Sequence, residues 1–215
     1  MKRFLSFIIT LTCYSIGLSA HSEKLFTGDR DLSSSFVNQV FQDTKGYIWI
    51  GTEDGLNFYD GNKFLVYKHK KDDPFSIKNN NVTHIYANRR GDLFIGYTNG
   101  VQRYDYVTDK FENVPLVREN RELNDARIFS IIERKNGDIV IGTSGYGIFL
   151  LRKGAKKAYY NPTFRLPVEY ITAVAEDLKQ NLWIGTEGGG VFRISPDKRI
   201  KHYEFKQIKG VLDLT

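Results

Sequence analysis

Beyond residue 20, the dipeptide Ile-Gly occurs four times along the chain, at intervals of 43 to 46 residues. Each copy follows a short apolar run and precedes a turn that contains glycine. A fixed period of this size indicates a repeat architecture, and it constrains the fold more strongly than any local pattern. The glycines of the four copies are Gly51, Gly96, Gly142 and Gly185.

Each repeat predicts four short strands. The first is an apolar-rich run, the second carries the Ile-Gly dipeptide, and the third and fourth follow a glycine-containing hairpin. Residues 47–50 form a continuous apolar run, as expected for a strand covered on both faces. We therefore predict an all-β protein, a β-propeller built of four-stranded antiparallel blades. The expected first strands are 37–41, 82–86, 128–132 and 171–175.

The repeats also divide the chain into units. With four blades present, we predict an incomplete ring. It would be either an open arc whose end faces lack a neighbouring blade or a poorly fitting closed ring. The predicted units are a signal peptide at 1–20, a leading segment with a closing strand at 21–33, blades at 34–77, 78–121, 122–165 and 166–207, and the start of a truncated fifth blade at 208–215.

The first twenty residues predict export. Lys2 and Arg3 precede an apolar stretch over residues 4–18, and the small residues Ser19 and Ala20 follow it. This pattern is typical of a cleaved signal peptide and predicts a periplasmic location. The alternative is an uncleaved anchor, but the stretch is short for a span of ~20 residues. No further stretch approaches spanning length.

Composition excludes several classes of function. The one cysteine, Cys13, lies in the leader, which excludes a disulfide framework and a cysteine-based zinc site. The four histidines share no ligand spacing, and we expect no metal and no cofactor. The chain has 31 basic and 25 acidic side chains. The basic ones are dispersed, so we expect blade rims rather than a nucleic-acid interface. The glycine-rich run 187–190 predicts a tight turn rather than a phosphate loop.

Residues 42–61 resemble the two-component regulator propeller repeat, a family that forms the periplasmic sensor of hybrid two-component systems. The segments 26–34 and 73–82 resemble the same family. The motif departs from the family where Phe94 and Val140 replace its tryptophan, and where Asn88 and Arg134 replace the aspartate of its turn. The residues that carry the repeat motif are Trp49, Gly51, Gly96, Gly142, Trp183 and Gly185.

The resemblance implies a non-catalytic sensor. It implies that the propeller recognises an oligosaccharide and controls glycan-use genes through a histidine kinase module, which is absent from these 215 residues. It also implies a homodimer of the full-length sensor.

Strand alternation places the hairpins after the Ile-Gly strands on the same end as the loops that enter each first strand. Aromatic rings with amides, arginine and carboxylates suit sugar rings, which combine an apolar face with many hydroxyls. The candidate ligand-binding residues at this end are Glu53, Asn80, Tyr97, Asn99, Arg127, Tyr146 and Glu187.

Two other functions remain open. A secreted propeller glycoside hydrolase or lyase would need a carboxylate pair, and Glu53, Asp54 and Glu187 lie at equivalent hairpins. These carboxylates belong to the repeat itself, however, which favours a role in the turn, and we assign no catalytic residue. The third alternative is a protein-protein scaffold that binds no small ligand.

Overall fold

The computed structural model describes residues 32–204, which form four antiparallel-based sheets that follow one another in chain order. The predicted signal peptide, most of the leading segment and the predicted start of a fifth blade lie outside the described residues. The described chain has one short 3-10 helix, Pro162–Phe164. None of its helices is long and apolar enough to cross a membrane. The all-β propeller prediction is confirmed.

The strands match their predicted places closely. The first sheet contains β1 (Val37–Gln42), β2 (Ile48–Thr52), β3 (Gly55–Tyr59) and β4 (Phe64–Tyr67), and the second contains β5 (Val82–Ala87), β6 (Leu93–Tyr97), β7 (Gly100–Asp105) and β8 (Lys110–Asn113). The third contains β9 (Leu116–Arg118), β10 (Arg121–Leu123), β11 (Ile128–Glu133), β12 (Ile139–Thr143), β13 (Ile148–Leu151) and β14 (Ala158–Tyr160). The fourth contains β15 (Ile171–Glu176), β16 (Leu182–Thr186), β17 (Gly190–Ile194) and β18 (Ile200–Tyr203).

The third sheet differs from the prediction because it has six strands, in the order β10-β9-β14-β13-β12-β11. The hairpin β9–β10 joins it through a parallel pairing of β9 with β14, in which Leu116 opposes Ala158. Leu116 is buried in the core of this sheet. The predicted boundary between residues 121 and 122 therefore falls inside a hairpin that belongs with the third blade.

The Ile-Gly glycines lie where successive blades meet. A Cβ atom on Gly51 would approach Val82 Cγ1 to 2.7 Å, one on Gly96 would approach Ile128 Cγ2 to 2.8 Å, and one on Gly142 would approach Ile171 Cγ2 to 2.7 Å. These distances are far shorter than a normal contact between carbon atoms of ≈ 3.5–4.0 Å. Glycine is thus required because a β-branched residue of the next blade packs directly on its α-carbon.

In the first three blades, the residue opposite the glycine also joins one blade to the next. Gln39, opposite Gly51, binds the backbone of Ile85 with both ends of its amide. Ser130, at the same place in the third blade, accepts a hydrogen bond from the Val174 amide at 3.1 Å. His84 occupies this place in the second blade and hydrogen-bonds to the backbone of Ile131.

We expect this histidine to make stability depend on pH. Burial, partly offset by the hydrogen bond to Ile131, lowers the pKa of His84 below its ordinary value of 6.5. The fold therefore favours the neutral ring. The contribution of His84 to the free energy of unfolding is fully present above about pH 6.5, and it is lost as the pH falls from there towards the lowered pKa. His84→Gln, which copies Gln39, should reduce the loss of melting temperature between pH 7.5 and 5.5. His69→Gln is the matched control, and an unchanged pH dependence in H84Q would contradict the assignment.

The two outer faces of the arc are open over the described residues. Val37 and Val40 are equivalent to the fully buried Val82 and Ile85, yet they are 43% and 61% exposed. At the other end, the three described atoms nearest to a Cβ atom on Gly185 belong to Thr172 and Ala173 of its own sheet. Within the described chain, the four blades form the predicted open arc.

Candidate functional site

The hairpins that follow the Ile-Gly strands contact the loops that enter the first strands, as predicted. The amide of Gly55 donates a hydrogen bond of 2.7 Å to the carbonyl of Asn80, and the amide of Ser144 donates one of 2.9 Å to the carbonyl of Arg127. The Gly145 amide donates to the carbonyl of Glu169 at 3.1 Å. We call this end of the arc the hairpin end.

Tyr97 does not line the surface of this end. Its side chain is fully buried in the apolar core that the first and second blades share, which includes Trp49 and Leu56. Burial raises the pKa of Tyr97 well above its ordinary value. The prediction missed this because the direction of the ring depends on the neighbouring blade, which shields it.

The two candidate asparagines have different surroundings. The side chain of Asn80 accepts a hydrogen bond from the His69 amide at 2.7 Å and donates one to Asp54 Oδ1 at 3.0 Å. It therefore fixes the long loop between the first two blades to the first hairpin. The side-chain oxygen of Asn99 is buried and has no hydrogen-bond partner among residues 32–204.

Glu53 and Glu187 are exposed, and they lie on the first and the fourth blade of the arc. Their backbone amides donate to the carbonyls of Phe36 and Tyr170, so their hairpins are anchored to the strand entries. Arg127 is also exposed, and its guanidinium lies 5.0 Å from the centre of the Phe129 ring. The structure thus brings Arg127 and the hairpin of Tyr146 together on the third blade.

The extra hairpin β9–β10 forms one wall of a cleft at the hairpin end, which we call the β9–β10 cleft. Its volume is about 510 Å³. The facing wall comes from the hairpin after β12 and from the loop that enters β15. The cleft is lined by Arg118, Glu119, Arg121, Glu122, Leu123, Asn124, Asp125, Gly145, Tyr146 and Glu169.

Polar contacts hold the walls of this cleft in place. The Tyr146 hydroxyl donates a hydrogen bond of 2.8 Å to Asp125 Oδ2, and this bond raises the pKa of Tyr146. Arg118 donates to Glu169 Oε2 at 2.9 Å, and its guanidinium lies 4.4 Å from the centre of the Tyr160 ring. The cleft therefore presents a protonated phenol, carboxylates and a guanidinium in fixed positions at neutral pH.

Sequence reasoning identified Tyr146 but missed Arg118, Asp125 and Glu169. The signal that pointed to them is the longest of the repeat intervals, between Gly96 and Gly142. The β9–β10 turn consists of Glu119 and Asn120, which both have positive φ, at 51° and 61°. Two such residues form a hairpin turn that is usually signalled by Asn-Gly or Asp-Gly, and neither pair is present here.

The described residues contain no group of three or more histidine, cysteine, aspartate or glutamate side chains placed to hold a metal ion. Two carboxylates of the β9–β10 cleft, those of Glu169 and Asp125, instead pair with Arg118 and Tyr146 respectively.

Comparisons with known proteins agree with this architecture. Residues 31–54 match the family model of the two component regulator propeller. Histidine kinase P4 from Formosa agariphila is 38% identical over 74 residues, which make up 33% of this chain and 5% of that protein. The chain thus spans a small part of the curated relative.

Solved structures share the fold over most of the chain. The extracellular domain of a hybrid two component system from B. thetaiotaomicron aligns with a TM-score of 0.73 and 25% identity, over 84% of this chain and 26% of that chain. Virginiamycin B lyase from Staphylococcus aureus aligns with a TM-score of 0.59 at 15% identity, over 80% of this chain and 57% of that chain. At this identity, the lyase is similar to the chain in its fold only. Residues 31–54 therefore match the two component regulator propeller repeat, and the described residues share the β-propeller fold of these structures.

Proposed function

We propose that this chain is part of the periplasmic sensor of a two-component signalling system, and that it recognises an oligosaccharide without turning it over. The observation that carries the proposal is the match of residues 31–54 to the two component regulator propeller model. The likeness to a sensor's extracellular domain over 84% of the chain supports it. Export through the predicted signal peptide at residues 1–20 is part of the same proposal.

The ligand site that we propose is the β9–β10 cleft. Its volume of about 510 Å³ falls within the range of ≈ 300–1,000 Å³ that is usual for small-ligand sites. The Tyr146 ring can stack against a sugar face, while Asp125 and Arg118 can bind hydroxyls. The exposed candidates Arg127 and Glu187 lie at the same end and extend the surface for a longer ligand. The hairpin β9–β10 breaks the regular repeat, as expected of a feature kept for binding.

The rest of the signalling system is also part of the proposal. Oligosaccharide binding would control glycan-use genes through the histidine kinase of the full-length protein. The full-length sensor would act as a homodimer. The chain covers 5% of the matched histidine kinase, so these steps depend on segments other than the described propeller.

A binding experiment tests the site. Titration of the chain with a panel of neutral plant and host oligosaccharides, followed by calorimetry, should identify at least one ligand. Tyr146→Ala should weaken that ligand at least tenfold, because stacking and the hydrogen-bonded wall are lost together. Tyr159→Ala is the matched control, since Tyr159 is 55% exposed on β14 and lies outside the cleft.

The same samples test the alternatives. Sustained release of shorter sugars that is lost in Glu53→Gln or Glu187→Gln would replace the sensor proposal with a propeller hydrolase or lyase. Failure of the whole panel to bind would favour a scaffold propeller.

A further inference from the structure

A second cavity lies between the second and third blades, at the end of the arc opposite the hairpin end. Its walls come from the outer strand β8 and from the connection between β13 and β14, and its volume is about 540 Å³. The turns that join the first two strands of each blade close its inner side. We call this cavity the outer groove. It shares no lining residue with the β9–β10 cleft.

Positive charge dominates the outer groove. Arg103 is paired with Glu112 at 2.8 Å, and Arg90 with Asp92 at 3.3 Å, so these four side chains are neutral as two pairs. The remaining cations come from one exposed connection, residues 152–156. Arg152 lies 3.5 Å from Asp138, whereas Lys153 and Lys156 form no ion pair within residues 32–204. Two ammonium groups are thus left for an anion.

The floor of the groove is apolar and belongs to both blades. Phe94 and Phe111 of the second blade and Ile139 and Leu151 of the third line this floor. Each of the four is almost fully buried, so the floor offers little exposed apolar surface of its own. Phe75 stands at the rim, where 45% of its surface is exposed. An anion with a purely hydrated surface would gain nothing from this floor. An anion whose frame has an apolar face would bury that face on the exposed Phe75 ring and place its charge beside the lysines.

We propose that the outer groove binds a carboxylate-bearing oligosaccharide of about disaccharide size. The carboxylates pair with Lys153 and Lys156, and the apolar C–H face of a sugar ring packs on Phe75. The ligand class rests on the proposed function, in which the propeller recognises oligosaccharides, but the site is a separate one. Charge complementarity selects acidic sugars here, whereas the β9–β10 cleft carries acidic side chains of its own.

The test uses digalacturonate as the probe and the neutral disaccharide digalactose as its counterpart. Calorimetry of the chain should show binding of digalacturonate that weakens as salt is raised, because the exposed ammonium groups are screened. Lys153→Gln/Lys156→Gln should weaken binding at least tenfold. Lys157→Gln/Lys179→Gln removes the same charge from exposed lysines outside the groove and should leave binding within twofold.

The aromatic part of the site has its own variant. Phe75→Ala should weaken digalacturonate several-fold. The proposal is wrong if digalacturonate fails to bind, if digalactose binds the groove equally well, or if the Lys157/Lys179 control loses as much affinity. Equal affinity for tetraglutamate would assign the groove to an acidic peptide instead. None of these outcomes bears on the binding of neutral sugars that depends on Tyr146. The proposal for the outer groove can therefore fail while the proposal for the β9–β10 cleft stands, and the reverse.

Discussion

Gly96→Ala is expected to destabilise the fold by about 3 kcal/mol, the upper part of the usual range for overpacking a core. The added Cβ would lie 2.8 Å from Ile128 Cγ2 and 2.9 Å from Ile128 Cβ. Both atoms are close to the backbone of the next blade, so relief requires the two blades to move apart. Since a loss of 1 kcal/mol shifts melting by about 2–4 °C in a chain of this size, the melting temperature should fall by about 6–12 °C.

The fourth copy of the dipeptide supplies the control for this substitution. Gly185 has the same place in its blade, but the nearest described atom to an added Cβ is Thr172 Oγ1 of its own sheet, at 3.2 Å. Gly185→Ala should therefore cost less than about 1 kcal/mol in the same thermal measurement. Equal losses in the two variants would show that the contact with the next blade is not what requires glycine.

The repeat made most of the fold predictable. Each first strand was placed within one residue of its observed end, because the apolar run, the turn and the Ile-Gly dipeptide recur in the same order. The dipeptide itself has a physical basis in the packing of Val82, Ile128 and Ile171 on the glycines before them. The dipeptide therefore recurs in all four blades, although other positions of the motif differ, as at Phe94 and Val140.

The departures from the motif were visible in the sequence. The sequence did not show that loss of the tryptophan and loss of the turn aspartate are linked by a hydrogen bond. Asp43 accepts a hydrogen bond from the Trp49 indole, and Asp177 accepts the equivalent bond in the fourth blade. Phe94 and Val140 replace this tryptophan in the second and third blades, so these blades have no indole N–H that needs an acceptor. The turn aspartate is then replaced as well, and Arg134 instead pairs with Glu176 of the next blade at 2.8 Å.

The candidate site was less predictable than the fold. Strand alternation correctly placed the hairpins and the entering loops on one end, since that follows from the order of strands alone. It could not show that Tyr97 is buried against the first blade, or that residues 116–123 fold back onto the third sheet. Both depend on contacts between segments that are distant in sequence.

Asp43→Ala is the second substitution with a large expected effect. Asp43 is 6% exposed and accepts hydrogen bonds from the Trp49 indole at 2.8 Å and from the Tyr106 hydroxyl at 2.6 Å. Its other oxygen accepts from the amides of Lys45 and Tyr47 and so closes the turn. Alanine leaves these donors without a partner in a buried site, at a cost of about 1–3 kcal/mol for each group that stays unsatisfied. We expect a total loss of about 3–5 kcal/mol in urea unfolding.

A double-mutant cycle separates the Trp49 bond from the closure of the turn. Asp43→Asn keeps one acceptor for the turn but presents an amide where the indole donates, so it should be destabilising alone. Adding Trp49→Phe removes that donor and recreates the pair found in the second blade, where Asn88 accepts from the amides of Arg90 and Asp92 beside Phe94. The double variant should therefore be more stable than the sum of the two single losses predicts, by at least about 1 kcal/mol. Strict additivity in urea unfolding of the four proteins would show that aspartate and tryptophan occur together in this repeat for a reason other than their hydrogen bond.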